Sequence, residues 1–418
     1  MQFRFLLLAT LSLAASPVCA QTPEQVAAAA LKTAPVWDGH NDVPEQLRIR
    51  YKNMIGGFDF TDTRATADPA SAMPAMQTDV ARLRQGRIGA QFWSVYVSAG
   101  LTDQQAVQAV MEQIDVTRRL IARYPQDLQF AQTSAEVAQA MKAGKVASLL
   151  GMEGGYAIAN SPGVLRQFYA LGVRYMTLAH YKTTIWADSA TDAPQHDGLT
   201  DFGKQIVREM QRIGMLVDLS HVSTATMNDA IDVAGAPVMF SHSGAQGIDG
   251  HPRNVPDAVL ARVKANGGIV MPVTLPAYVS EAVRGWKAVR AGEVARQASL
   301  HPDAPNVANA ALAEWDKANP APPATIAQVA DHIDHIVKVA GIDHVGLGGD
   351  FDGMDAVTQG MEDVSTYPAL FTELARRGYT QADLQKIASG NMMRVLRAAE
   401  SYAAAHRADP PLETPTTF

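Results

Sequence analysis

Cysteine is almost absent: Cys19 stands alone in 418 residues. A lone thiol closes no internal disulfide, and a thiolate metal cage has no raw material. Positive charge is also scarce. The 35 Lys and Arg are outnumbered by 42 Asp and Glu, the formal net charge is −7, and no basic block is visible. Nucleic acid is therefore excluded as the expected partner. No Gly-x-Gly-x-x-Gly turn follows the first apolar run, which argues against a doubly wound dinucleotide fold. The C-terminus, Glu413 to Phe418, carries no apolar tail and so no glycolipid anchor. What the chain does have is 47% hydrophobic residues, enough for one large core.

Residues 1–20 have the pattern of an export signal. Arg4 gives the positive charge, Phe5 to Ala15 the apolar segment and Val18-Cys19-Ala20 the small-residue cleavage site. The apolar run is short for a membrane anchor, and Ser16-Pro17-Val18 is an awkward approach to a lipidated cysteine. Cleavage after Ala20 removes Arg4 and no acid, taking the charge from −7 to −8, and removes the only cysteine. The expectation is a secreted or periplasmic protein without a membrane anchor, residues 21–418 forming a single domain.

Eight apolar runs read as strands: 36–40, 88–98, 146–151, 173–179, 215–219, 237–240, 268–274 and 344–347. Helical patterns fall at 75–85, 103–122, 134–143, 162–170, 200–213, 223–234 and 255–265, with Ser223 as an N-cap and Pro256 as a first-turn residue. An alanine-rich helix is expected over 23–32, a closing helix over 389–406, and a polar, irregular loop over 43–68. Eight strands alternating with helices predict a (β/α)8 TIM barrel. A helical insertion, roughly 279–340, separates strands 7 and 8; a lid over the barrel mouth and a surface elaboration fit it equally.

Polar residues punctuate the ends of these runs. His40 and Asp42 close the first, in Trp37-Asp38-Gly39-His40-Asn41-Asp42; two residues apart on a strand, they point to one side. Glu153, His180, His221, His242 and Asp350 each follow a later run. The C-terminal ends of barrel strands converge on one face, where active sites form. Imidazoles and carboxylates gathered there suit zinc or a similar divalent ion, and two ions could share a bridging carboxylate. Singly, each residue has a plainer explanation: a helix-start acid for Glu153, a packed core histidine for His242. Together they form one constellation. His332 and His335 share a helix face but precede the eighth run, and they are expected near the opposite end of the barrel, outside the cluster. His251 lies near the proposed site and is left open.

Asp38-Gly39-His40-Asn41-Asp42, Met152-Glu153-Gly154, Leu178-Ala179-His180, Trp186-Ala187-Asp188, Asp218-Leu219-Ser220-His221-Val222-Ser223, Phe240-Ser241-His242-Ser243, Arg253-Asn254-Val255-Pro256-Asp257 and Gly348-Gly349-Asp350-Phe351-Asp352-Gly353 resemble, in order, the motifs of the renal (membrane) dipeptidase family, peptidase family M19, of the amidohydrolase-type metal-dependent hydrolases. The resemblance runs from about residue 36 to about 397. It implies a (β/α)8 barrel holding two Zn2+ ions. His40 and Asp42 would bind the first, His221 and His242 the second, and Glu153 with a water or hydroxide would bridge them. It further implies that His180 polarises the scissile carbonyl, that Arg253 holds the substrate's free α-carboxylate, and that Asp350 is the acid/base. The implied reaction is attack of a metal-bridging hydroxide on dipeptides, many family members accepting a D-residue at the C-terminal position. A homodimer is the family-based expectation. Two other functions remain open: the same dinuclear site acting on another carboxylate-bearing amide, ester or lactam, and an exported binding protein that kept the barrel without the chemistry. The insertion has no matching motif, and the mammalian members' lipid anchor and disulfides have no counterpart in this sequence.

Overall fold

The apolar runs become parallel strands in the computed structural model, which describes residues 21–71 and 73–415. The expected export signal, residues 1–20, lies outside the described residues. The strands are β1 (Val36–Asn41), β2 (Ile88–Tyr96), β3 (Leu128–Phe130), β4 (Val146–Glu153), β5 (Val173–Thr177), β6 (Leu216–Asp218), β7 (Met239–Phe240) and β8 (Ile269–Val270). Their neighbour order is β1-β2-β4-β5-β6-β7-β8, with β3 beside the start of β4. Every residue of β1, β4 and β5 is buried. A parallel sheet buried on both faces favours such near-continuous apolar runs, as in β4 and β5.

The result is an α/β fold with a curled parallel sheet, and it departs from the expected eight regular barrel strands in two ways. The run 344–347 is not a continuous strand. His344 ends a short 3-10 turn, and Val345 and Leu347 make isolated parallel bridges to Val270 and Asp38. Glycines at 346, 348 and 349 interrupt any longer ladder there. The short β3 is an addition that its three-residue length hid in the sequence.

Helices fall close to their expected places, at 103–123, 134–142, 162–170, 201–213 and 224–233. Ser223 is the N-cap it was read to be, accepting from Thr226 N. Pro256 stands one position earlier than expected, at the N-cap of Asp257–Asn266. The helix expected from residue 75 begins at Val80, because Asp79 accepts the Arg82 amide at 2.7 Å and caps it. The supposed loop 43–68 contains a helix, Val43–Tyr51, directly after Asp42. Only Val43, Pro44 and Leu47 of it are buried, so no apolar stripe marked it.

The insertion forms a hairpin of two helices, Glu281–Leu300 and Pro305–Ala318, followed by Ile326–Ala340. Trp286 and Trp315 pack at 6.2 Å between ring centres, and Arg290 pairs with Asp316 at 2.7 Å. The second helix buries nothing and the first only Val283 and Gln297. Most of the hairpin is therefore surface elaboration, moored at its base by Arg284 to the buried Asp249 and by Lys287 to Asp355.

His332 is not at the far end of the sheet. Its Nδ1 accepts from Ala245 N at 2.8 Å and its Nε2 faces Val279 O at 3.2 Å. The helix that carries it is long enough for its first half to reach the loops after the strand ends. His335 pairs with Asp257 at 2.6 Å. Both stay outside the histidine cluster described below, as expected.

Two measurements test this packing. A Cβ added at Gly348 would meet the Ser241 carbonyl oxygen at 1.8 Å, whereas one at Gly285 meets nothing within 4 Å. Gly348→Ala should destabilise by about 1–3 kcal/mol, and Gly285→Ala should stabilise by about 0.5–1 kcal/mol, both read from urea midpoints. Burial holds His332 down from 6.5 to about 4, so the unfolded chain takes its proton first on acidification. Its contribution is complete above pH 6.5 and is lost towards pH 4, about 3 kcal/mol in all. A His332→Gln chain should lack that part of the pH slope of unfolding.

Candidate metal centre

Parallel strands all end on the same side of a sheet, and the polar residues at those ends meet there. β1 ends at His40 and Asn41, with Asp42 next; β4 ends at Glu153. His180, His221 and His242 follow β5, β6 and β7, and Asp350 follows the segment that bridges β1 and β8. All seven candidate residues are brought together. Around Glu153, its Oε1 lies 3.0 Å from His221 Nε2, 3.4 Å from His242 Nε2 and 3.6 Å from His180 Nε2. Its Oε2 lies 3.5 Å from His40 Nε2. His40 Nε2 is also 3.3 Å from Asp42 and 3.9 Å from Asp350. Three overlapping groups have donor atoms close enough to hold a metal: His40-Glu153-His242, Glu153-His180-His221 and His40-Asp42-Asp350.

The donors fit a cation on three observations. His40 Nε2 and Asp42 Oδ1 are buried without a hydrogen-bond partner, a costly state unless something occupies them. His221 Nε2 and His242 Nε2 stand 2.7 Å apart. Two such nitrogens repel unless a proton or cation lies between them. The imidazole and carboxylate set, without thiolate, suits zinc, manganese or cobalt alike.

A second layer orients the rings. Ser241 Oγ donates to Asp218 Oδ2 at 2.7 Å and lies 2.8 Å from His242 Nδ1. Its proton being committed to Asp218, Oγ accepts from Nδ1–H, which leaves His242 Nε2 as a free lone pair. Tyr175 OH lies 2.8 Å from His40 Nδ1 in the corresponding place. Asp218 also accepts the Ser220 and Ser241 amides, and Asp38 those of His40 and Gly349. Asp38, Tyr175 and Asp218 were not singled out in the sequence. The Asp-x-His and Asp-x-x-His spacings were the available signal for the two acids.

Electrostatics follow from burial. Burial, then the charge of Arg253, pushes the His221 pKa well below the usual value; burial, then the neighbouring His40, does the same for His242. Both rings are neutral ligands at neutral pH. Burial opposes a charged His40, yet its pKa lies well above the ordinary value. Tyr175 is held neutral by its own burial, so the carboxylates of Asp42 and Glu153 are the physical source. Burial works against an ionised Glu153 too, but His40, His180 and the His221 contact hold its pKa well below the usual range. Burial and the Asp42 charge raise Asp350 well above its ordinary value. His221 and Asp350 share left-handed backbone, at φ 68° and 65°, a conformation that costs about 1–3 kcal/mol in a non-glycine residue.

The cluster opens into a cavity of about 320 Å³. Arg253 lines it and is only 1% exposed. Its guanidinium donates to Ser243 Oγ and His242 O, each at 3.2 Å, while its Nε has no partner and no carboxylate pairs with it among the described residues. His251 lies behind, its Nδ1 accepting from Arg253 N and its ring 4.2 Å from Tyr278. Glu45, Tyr96 and Tyr278 also line the cavity and were missed in the sequence. Glu45 sat in what read as loop, and neither Tyr96 at the end of β2 nor Tyr278 in the short helix Pro276–Val279 carries a periodic signal.

Removal of the Ser241 hydroxyl should free the His242 tautomer. Ser241→Ala is expected to lower metal affinity about 10–100-fold while the chain stays folded, read by titration against a competing chelator.

Comparison with known proteins agrees with this geometry. The membrane dipeptidase (peptidase family M19) model matches residues 24–410. An uncharacterized dipeptidase of Schizosaccharomyces pombe is 40% identical over 411 residues, covering 95% of this chain and 88% of that protein. Dipeptidase 3 of Homo sapiens is 38% identical over 392 residues, 93% of this chain and 70% of the human one. Among solved structures, the probable dipeptidase PvdM from Pseudomonas aeruginosa shares the fold with a TM-score of 0.76 at 22% identity, covering 91% of this chain and 99% of that one. A metallopeptidase from Rhodobacter sphaeroides, liganded with a phosphinate mimic of the dipeptide L-Ala-D-Ala, has a TM-score of 0.69 at 22% identity, covering 88% and 99%. With His/Glu/Asp clusters at its strand ends and a family match along nearly its whole described length, the chain belongs to the membrane dipeptidase family, peptidase family M19, and is a metal-dependent dipeptidase.

Proposed function

We propose that this dipeptidase is a dinuclear zinc enzyme that hydrolyses dipeptides with a free C-terminal carboxylate and tolerates a D-residue there. The observation that carries it is Glu153, whose two oxygens face different histidines: Oε2 faces His40, and Oε1 faces His221 and His242. His40, Asp42 and Glu153 would hold one ion, and Glu153, His221 and His242 the other. When bound, two divalent cations acidify water and polarise a carbonyl.

The chain's own residues supply the rest. Arg253 is a buried cation with an unpartnered Nε beside the cavity, and a guanidinium fork matches a carboxylate in a bidentate pair. It positions a substrate that ends within the pocket. His180, neutral because burial lowers its pKa, directs an N–H at the oxygen that gains charge on attack. Asp350 is the proton carrier. Burial and Asp42 raise its proton affinity, positive charge nearby lowers it, and it passes the proton to the leaving amine. A cavity of about 320 Å³ suits a dipeptide and excludes a folded protein.

Three further expectations belong to the same reading. The curled sheet is a closed (β/α)8 barrel, supported by the bridges from Val345 to Val270 and Leu347 to Asp38. The protein acts outside the cytoplasm, supported by the signal-like residues 1–20. It functions as a homodimer, on family grounds alone. The D-residue tolerance is carried over from the family and from the L-Ala-D-Ala mimic in the Rhodobacter protein.

The test is turnover by zinc-loaded protein of L-Ala-L-Ala, L-Ala-D-Ala and L-Ala-D-Ala amidated at its C-terminus. Both free dipeptides should be cleaved and the amide at least about 100-fold more slowly, the scale of losing a buried charge pair. Arg253→Met should remove that discrimination. A folded, two-metal protein inert towards all three would replace the dipeptide with another carboxylate-bearing amide, ester or lactam.

A further inference from the structure

Four carboxylates line the cavity: Asp42, Glu45, Glu153 and Asp350. Asp42, Glu153 and Asp350 belong to the donor groups around His40. Glu45 does not. It stands in the first turn of Val43–Tyr51, three residues after Asp42, and that spacing sets the two side chains on one face. Pro44 between them fixes the start of the helix. No hydrogen bond or ion pair within the described residues engages the Glu45 carboxylate, although Asp42, Glu153, His40 and Arg48 are its charged neighbours. Its own helix favours an acid in that turn, but a helix terminus does not require the acid to face a cavity beside two others.

The walls therefore offer complementary charges for the two ends of a small peptide. Arg253 is the one guanidinium lining the cavity among the described residues, and it suits the C-terminal carboxylate. Among the described residues, Glu45 is the one lining acid outside the metal and proton machinery, and it suits a cation.

We propose that Glu45 receives the positive charge of the substrate residue on the N-terminal side of the scissile bond, making it a specificity residue opposite in kind to Arg253. This rests on the dipeptidase reading. The cation is either the α-ammonium that every dipeptide carries or the side-chain ammonium of an N-terminal lysine, and the two make different predictions.

The experiment measures kcat and KM separately for the zinc-loaded full chain and for Glu45→Gln, with L-Ala-L-Ala, L-Lys-L-Ala and L-norleucyl-L-Ala. A contact with the α-ammonium raises KM of the variant about tenfold on all three peptides, the scale of one charge-assisted contact, with a smaller change in kcat. A contact with the side chain confines the rise to L-Lys-L-Ala. Glu45→Asp should restore part of either effect, which a purely structural role would not. Should the variants fail to fold, the unaltered chain decides. It should prefer L-Ala-L-Ala over propionyl-L-Ala, or L-Lys-L-Ala over L-norleucyl-L-Ala, by a similar factor. KM values unchanged within twofold in Glu45→Gln, or no preference in the unaltered chain, overturn the proposal while leaving the dipeptidase reading intact. An unaltered chain inert towards every free dipeptide overturns both.

Discussion

A buried carboxylate surrounded by imidazoles sets the terms for everything near it. Glu153 is 4% exposed, with His40, His180, His221 and His242 within 3.6 Å of its oxygens. A buried charge is tolerated only when paired and hydrogen-bonded. His40 alone of these rings is raised towards its charged form, His180, His221 and His242 being held neutral, while Asp42 and Asp350 add two more acids. The centre is thus built to be short of positive charge. The lowered pKa values of His221 and His242 say the same from the other side, since burial prevents those rings from supplying the charge themselves.

Holding such a centre requires rigid strand ends, and the fold uses one device twice. Asp38 and Asp218 are both fully buried. Each accepts the amide two residues on, His40 or Ser220, and the amide of a neighbouring segment, Gly349 or Ser241. Each therefore stitches two adjacent strand ends and fixes where the next histidine emerges. The left-handed backbone at His221 and Asp350 is held by the same surroundings, for Asp350 N donates to His40 O and His221 O accepts from Ala190 N.

Much of this was legible because burial on both faces writes a sheet strand as an unbroken apolar run, and a polar residue that ends such a run stands out. His40, Glu153, His180, His221 and His242 were found that way. Residues that act through packing left no such mark. Tyr175 lies inside an apolar run and reads as core. Asp79 overrode a helical pattern by capping later than the pattern began. The helix Val43–Tyr51 mixes Glu45, Gln46, Arg48 and Arg50 with apolar residues and buries only Val43, Pro44 and Leu47, so it read as loop, and Glu45 was lost with it. Glycines turned the last apolar run into two bridges, a change that counting apolar residues cannot see.

The joint between the two ends of the sheet lies late in the chain. The donors from His40 to His242 are all synthesised before residue 250, whereas Val345, Leu347 and Asp350, which bridge the first and last strands and complete the acid cluster, come about a hundred residues later. A chain unfinished between His242 and Val345 therefore carries every imidazole of the centre but neither the bridges between β1 and β8 nor Asp350. Ribosomal order separates the possession of ligands from the possession of a working site.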